Sequence, residues 1–204
     1  MTDAEFDRAL IDATFARIAA GGWVGLTTAA VAREAGLDLV RTRARMPDRN
    51  AVLCAFGRLA DQAAVTGVMA DAPVRDALFD MLMRRIDVLQ AHRAGVLALM
   101  KVVPFDPPLA ALLGGASLRS MGFLLAAAGV EAGWLTPLRA QALLAVWLWT
   151  VRAWQRDETE DLAPTMAALD QALTRAETAE SWLKGRRTTP IAPDVPAADP
   201  FPPG

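Results

Sequence analysis

The run Thr27-Thr28-Ala29-Ala30-Val31-Ala32-Arg33-Glu34-Ala35-Gly36-Leu37-Asp38 constrains the fold of this chain more than any other segment. Thr27 is a natural N-cap for a short helix over Thr28 to Ala35, because a Thr, Ser or Asp oxygen accepts from the open N–H groups of the first turn. Val31 and Ala35 then face inward. Gly36 breaks that helix, since glycine enters the left-handed conformation without steric cost. Leu37 plugs the turn, and Asp38 caps another short helix that reaches Met46, where Pro47 and Asp48 close it. Two short capped helices across a glycine turn make a helix-turn-helix. Its second helix would lie in the major groove of DNA with its early residues near base edges.

Helical periodicity runs through most of the remaining sequence, so the expected fold class is all-α. Phe6, Leu10, Ala13 and Ile18 mark a first helix over about 3–20, ended by Gly21-Gly22. A fourth helix is expected over about 49–70, with Val52, Leu53, Phe56 and Leu59 on its apolar face. After Asp71-Ala72-Pro73 the helices become longer and more apolar: about 74–92, 94–102, 107–128, 136–158 and 161–183. The absence of tyrosine and the 6% aromatic content also weigh against sheets. The domain reading is a helix-turn-helix unit over 1–48 and a helical body over 49–183, with helix 49–70 connecting them. A Pro-rich extension follows over 184–204, where six of the 13 prolines lie between 190 and 203.

At 204 residues and 53% hydrophobic content the chain can bury a core, and its 22% charged residues do not suggest disorder. The acidic start Met1-Thr2-Asp3-Ala4-Glu5 lacks the basic and apolar parts of a secretory signal. The longest strongly apolar run, Leu143 to Val151, is too short for a bilayer of roughly 30 Å, so no membrane span is expected. A lone Cys54 fits a reducing compartment, and the expected location is cytoplasmic. The single His92 has no second His or Cys nearby, and the Gly pairs at 21–22 and 114–115 lack a phosphate-loop context. No metal, cofactor or catalytic residue is therefore expected, and the chain does not read as an enzyme. The formal net charge is −2, yet residues 33–58 carry six arginines (33, 41, 43, 45, 49, 58) against three acids (Glu34, Asp38, Asp48). That local surplus suits a small DNA-binding module.

The stretch from Leu10 to Phe56 resembles the N-terminal domain of the TetR family of transcriptional regulators. The family's Thr-capped Ile-Ala-x-x-Ala-Gly helix is matched by Val31-Ala32-Arg33-Glu34-Ala35-Gly36. Its Phe-Pro-Ser-Lys-x-x-Leu-like start of helix four is matched by Met46-Pro47-Asp48-Arg49-Asn50-Ala51-Val52-Leu53. The recognition helix departs from the family pattern. Arg43 stands at the usual Tyr position and Arg45 at the usual His position. Leu39 and Val40 replace polar or glycine residues, and Thr42 replaces an inward Leu. The resemblance implies a ligand-responsive repressor that binds a palindromic double-stranded DNA operator as a homodimer. The residues assigned to DNA are Thr27, Thr28, Arg41, Thr42, Arg43, Arg45 and Arg49. Arg41 and Arg45 would form one basic edge with Arg43 adding a second, while Thr27 or Thr28 and Arg49 hold phosphates. The alternative is that these arginines form a solvated face that no longer reads DNA.

In the body, helices over 136–183 resemble the family's paired dimer helices. Leu162, Met166, Leu169 and Leu173 form a seam, and Trp147, Val151 and Trp154 lie on the helix before it. These residues are expected at a dimer interface, or alternatively in an intramolecular core. Phe79, Met83, Met100, Phe105, Met121, Phe123 and Trp147 are candidate walls for a small apolar effector, unless they are ordinary core residues. A second function stays open. Trp154-Gln155-Arg156-Asp157-Glu158 and Thr165-Met166-Ala167-Ala168-Leu169-Asp170 look somewhat like the late helices of TetR-scaffold lipid-binding proteins of ubiquinone biosynthesis, which would carry a lipid or isoprenoid without binding DNA. A purely structural helical dimer is the third reading.

Overall fold

Side-chain caps open the helices that place everything else. Thr2 Oγ1 accepts from Glu5 N at 3.2 Å while Glu5 Oε2 accepts from Thr2 N at 2.6 Å, a capping box that starts α1 (Asp3–Gly21). Thr27 accepts from Ala30 N at 3.2 Å to start α2 (Thr28–Glu34). Asp38 accepts from Arg41 N at 2.6 Å to start α3 (Leu39–Arg45), and Asp48 accepts from Ala51 N at 2.8 Å to start α4 (Arg49–Val65). Next come α5 (Val74–Ala91), α6 (Arg93–Val102) and a 3-10 turn at Val103–Phe105. Asp106 accepts from Leu109 N at 3.0 Å ahead of α7 (Pro107–Ala127), and α8 (Thr136–Trp154) and α9 (Ala163–Gly185) complete the order. The computed structural model describes residues 1–68 and 72–185; among them every regular element is a helix, so the fold is all-α as expected. Most of the Pro-rich extension lies outside the described residues.

The helix-turn-helix forms as its residues require. Gly36 takes φ 66°, and Leu37 N donates to Ala32 O at 2.7 Å, so the chain reverses directly into Asp38. Phe6, Leu10, Phe15 and Ile18 from α1 meet Val31 and Ala32 of α2 and Met46 beyond α3 in a shared core. That core continues without a break through Val52 and Leu53 of α4 into the body. At the junction α6 lies against α1 so closely that a Cβ on Gly95 would stand 2.3 Å from the Phe15 carbonyl oxygen.

Three boundaries differ from the periodic pattern. α4 stops at Val65, not about 70, and Arg84 donates to Ala64 O at 3.2 Å and Thr66 O at 2.6 Å just past its end. α8 stops at Trp154, not 158, because Arg93 draws in the carbonyls of Trp154 (3.1 Å), Gln155 (3.4 Å) and Asp157 (2.8 Å). α9 begins at Ala163 after Leu162 at φ 53°. A fourth difference concerns hydropathy. α7, with mean hydropathy 1.5, is long and apolar enough to cross a membrane by length and composition, although Ser117, Arg119 and Ser120 interrupt any continuous apolar run. Here it packs against α4 and α8.

Candidate nucleic-acid interface

Successive residues of a helix are offset by about 100°, so the burial of two positions fixes the azimuth of the rest. In α3 Thr42 is 2% exposed and its hydroxyl donates to Asp38 O at 2.7 Å; Met46, one turn on, is also 2% exposed. They point α3 inward. The opposite side therefore carries Val40 and Ala44, with Arg41 and Arg45 along one flank and Leu39 and Arg43 along the other. Thr42 thus leaves the set of residues able to reach DNA, because the hydroxyl expected there is spent on the helix backbone. Thr28 leaves it for a similar reason: it is buried in the α2 packing. Thr27 remains at the surface, with its oxygen engaged in the cap.

The basic flank is held from below by α1. Arg41 donates to Asp3 Oδ1 at 2.5 Å and to Met1 O at 3.3 Å, and its guanidinium lies 4.5 Å over the Phe6 ring. Arg45 grips Asp7 through two parallel contacts, Nε to Oδ1 at 2.5 Å and Nη2 to Oδ2 at 2.6 Å, and reaches Asp3 Oδ2 at 2.7 Å. Such fork-on-carboxylate pairing is the geometry guanidinium favours. The hydrogen bond from Arg41, then the charge of Arg45, hold the Asp3 carboxyl below its ordinary range. The hydrogen bond to Asp7 pushes Arg45 further up. Arg49 is occupied as well: it donates to Trp23 O at 3.0 Å and lies 4.5 Å over the Trp23 ring. Arg43 is exposed, donates to Pro47 O at 3.1 Å and, among the described residues, pairs with no acid. Arg17 and Glu34 form a further pair linking α1 to α2.

Asp3 and Asp7 were missed by reading charge in a window of sequence. Over residues 1–48 the unit carries six arginines (8, 17, 33, 41, 43, 45) against seven acids (3, 5, 7, 12, 34, 38, 48). The basic surplus near α3 is therefore neutralised once α1 folds across it. Only the separation of 38 and 42 residues between partners hid the pairing.

The residues expected at a dimer interface turn inward. Trp147 is 5% exposed, Val151 6%, Trp154 0%, Leu162 6%, Leu169 0% and Leu173 4%; Met166 is half-buried. They form the seam between α8, α9 and the rest of the body, so they have little surface to offer a second chain. Trp154 Nε1 donates to Gln90 Oε1 at 2.8 Å, and Arg93 lies 4.8 Å over its ring. The outward side of α8 instead carries Ala145, Leu148, Trp149 and Arg152. Leu148 is 58% and Trp149 50% exposed, with Arg175 of α9 6.0 Å from the Trp149 ring centre.

The effector walls separate into two groups. Met121 and Trp147 are interior, and Phe79, Met83 and Met100 are half-buried against the core. Phe105, at 87% exposure, and Phe123, at 49%, face out and line no interior space. Sequence reading also missed a polar centre inside the body. Arg85 of α5, 4% exposed, pairs with Asp61 of α4 and lies 4.8 Å over the Trp147 ring, while Ser120 of α7 donates to Asp61 Oδ2 at 2.7 Å. Burial lowers the guanidinium to about 10, which leaves it charged at neutral pH. A groove of about 400 Å³ opens elsewhere, between α1 and α2, against Ala13, Ala20, Val31 and Ala35.

No family model and no curated protein matches the sequence. Solved structures do match. A TetR transcriptional regulator from Nitrosomonas europaea ATCC 19718 superposes with a TM-score of 0.65 at 18% identity, covering 85% of this chain and 99% of that one. A protein from Mesorhizobium loti MAFF303099 assigned to the TetR family of transcriptional regulators gives a TM-score of 0.53 at 18% identity, over 88% of this chain and 98% of that one. With its helix order and helix-turn-helix unit, this chain has the TetR-like fold.

Proposed function

We propose that the chain is a TetR-like, DNA-binding transcriptional regulator that represses as a homodimer in the cytoplasm and responds to a small apolar effector. The observation that carries this reading is the exposed outer side of α3, Val40, Arg43 and Ala44, presented by a capped helix-turn-helix within a fold shared with such regulators. The interface proposed for the dimer is the outward side of α8, with Leu148 and Trp149, beside Arg175 of α9. A two-fold axis there would set two α3 helices on half-sites roughly 34–36 Å apart. Effector binding is proposed around Met121, Phe79, Met83 and Met100, close to the Asp61–Arg85–Ser120 centre that joins α4 to α5 and α7. A ligand favouring one arrangement of that centre would alter the spacing of the paired α3 helices, the differential binding that coupling requires.

The test is a fluorescence-anisotropy titration with the duplex upstream of the protein's own gene, beside an unrelated duplex, at two salt concentrations. Selective binding supports the regulator reading. Weak and equal binding to both duplexes, with lipid co-purifying, would instead support a TetR-like scaffold that carries a lipid. The occupied state of Arg41 and Arg45 is the observation that favours this second reading.

A further inference from the structure

The outer row of α3 is apolar, and the cations that could have served beside it are unequal. Val40 is 78% exposed, Ala44 one turn later is also exposed, and Leu39 on the flank is 44% exposed. On this short, capped surface helix Val40 and Ala44 are left largely uncovered by the rest of the chain. Arg41 and Arg45, on the next flank, are tied to Asp3 and Asp7 by ion pairs of 2.5–2.7 Å. A phosphate approaching that flank meets two carboxylates as well as two guanidinium groups, so its net attraction is small. Arg43, on the opposite flank and without an acid partner among the described residues, keeps its full charge for the duplex.

In the major groove, an apolar row has one feature to read. Thymine alone among the four bases presents a methyl group there, and alanine and similar apolar side chains are its natural contacts; a guanine edge calls for Arg or Lys, and an adenine edge for Asn or Gln. α3 carries no Asn, Gln or Lys, and Asp3 and Asp7 occupy two of its three arginines. We propose that α3 reads thymine, with the Val40–Ala44 row packed on thymine 5-methyl groups and Arg43 supplying the adjacent charged contact, while Asp3 and Asp7 hold Arg41 and Arg45 out of the readout. Val40 and Ala44 are then specificity-determining residues, and Asp3 and Asp7 are positioning residues. The inference rests on the regulator reading above, since it specifies what that DNA face prefers.

The experiment selects the tightest duplex from a randomised pool with the full-length protein, then remakes it with single thymines replaced by deoxyuridine, which pairs identically but lacks the methyl. The expected result is a loss of about fourfold in affinity at one or more positions in each half-site, the size of one buried methyl contact. Val40→Ser should lower affinity for the thymine duplex to that of the uracil duplex, which erases the preference, while leaving the salt dependence unchanged. Arg43→Ala should flatten the slope of log K against log salt by about one contact, and Arg41→Ala should leave it unchanged. Equal binding of the thymine and uracil duplexes at every position overturns thymine reading with the regulator reading intact. So does an Arg41→Ala variant that loses as much slope as Arg43→Ala. Recovery of no duplex from the pool overturns the regulator reading itself.

Discussion

The outer surfaces of α3 and α8 are both apolar, but the residues behind them are held in different ways. On α3, Arg41 and Arg45 keep 31% and 32% of their side chains in solvent while they pair with α1 acids. On α8, Trp147 and Trp154 keep 5% and 0%. The first arrangement is exchangeable, because exposed ion pairs contribute little and breaking one returns both charged groups to water. The second is permanent, because releasing a buried tryptophan exposes its apolar surface and empties its cavity. The α8 seam is committed to the core, so the dimer proposed along α8 must use what is already outside, Leu148 and Trp149.

The largest effect that would sharpen this contrast is on α8. Trp154→Ala is expected to cost about 3–5 kcal/mol of stability, read as a shift in urea midpoint. Trp149→Ala should leave that midpoint nearly unchanged and weaken self-association by tenfold or more in sedimentation equilibrium, as for a buried aromatic anchor. If the two variants behave alike, the inner and outer sides of α8 are misassigned.

Next in size is the joint between the two regions. Gly95→Ala would drive a methyl into the Phe15 carbonyl 2.3 Å away, and overpacking of this kind costs about 1–3 kcal/mol. The α1–α6 contact would open, so the variant should lose DNA affinity together with stability. A stable variant with wild-type melting would show that the two regions do not share one rigid junction.

A smaller effect belongs to the corner after α8. Burial raises the Asp157 carboxyl, but hydrogen bonds from Thr159 Oγ1 and Thr165 Oγ1, both 2.6 Å, and from Thr159 N and Thr165 N, both 3.0 Å, overcome it and hold the group at about 2. The folded value lies below the ordinary 3.8, so this contribution is complete above about pH 4 and disappears as pH falls toward about 2. Asp157→Ala should lose about 1–2 kcal/mol at neutral pH, as for a lost cap, and melting curves of the variant and the wild type should converge in acid. A difference as large at pH 2 as at neutral pH would contradict the assignment.

Much of this was legible in the residues. Thr27, Gly36, Leu37 and Asp38 specify a cap, a left-handed turn, a plug and a second cap within one short segment, so local physics sufficed for the helix-turn-helix. The azimuth of α3 was also within reach, since Thr42 stands where the resembled pattern has an inward Leu. What could not be read was the charge state of its flank, because Asp3 and Asp7 lie about forty positions away and only the fold brings them under Arg41 and Arg45. The α8–α9 seam failed for a related reason. Apolar spacing of 3 and 4 residues identifies a buried face but says nothing about whether its partner is in the same chain. Arg85 and Asp61, 24 residues apart on different helices, left no local sign of their pairing.

The smallest change in stability accompanies the most direct test of the whole account. Asp3→Asn combined with Asp7→Asn should barely move the melting temperature, yet it frees Arg41 and Arg45 for phosphate. In anisotropy titrations over a salt series with the selected duplex, the double variant should bind more tightly than wild type at low salt. Its slope of log K against log salt should be steeper by about two contacts, near −0.9 for each phosphate engaged. An unchanged slope and affinity would contradict the claim that α1 holds the basic flank of α3 out of the DNA interface.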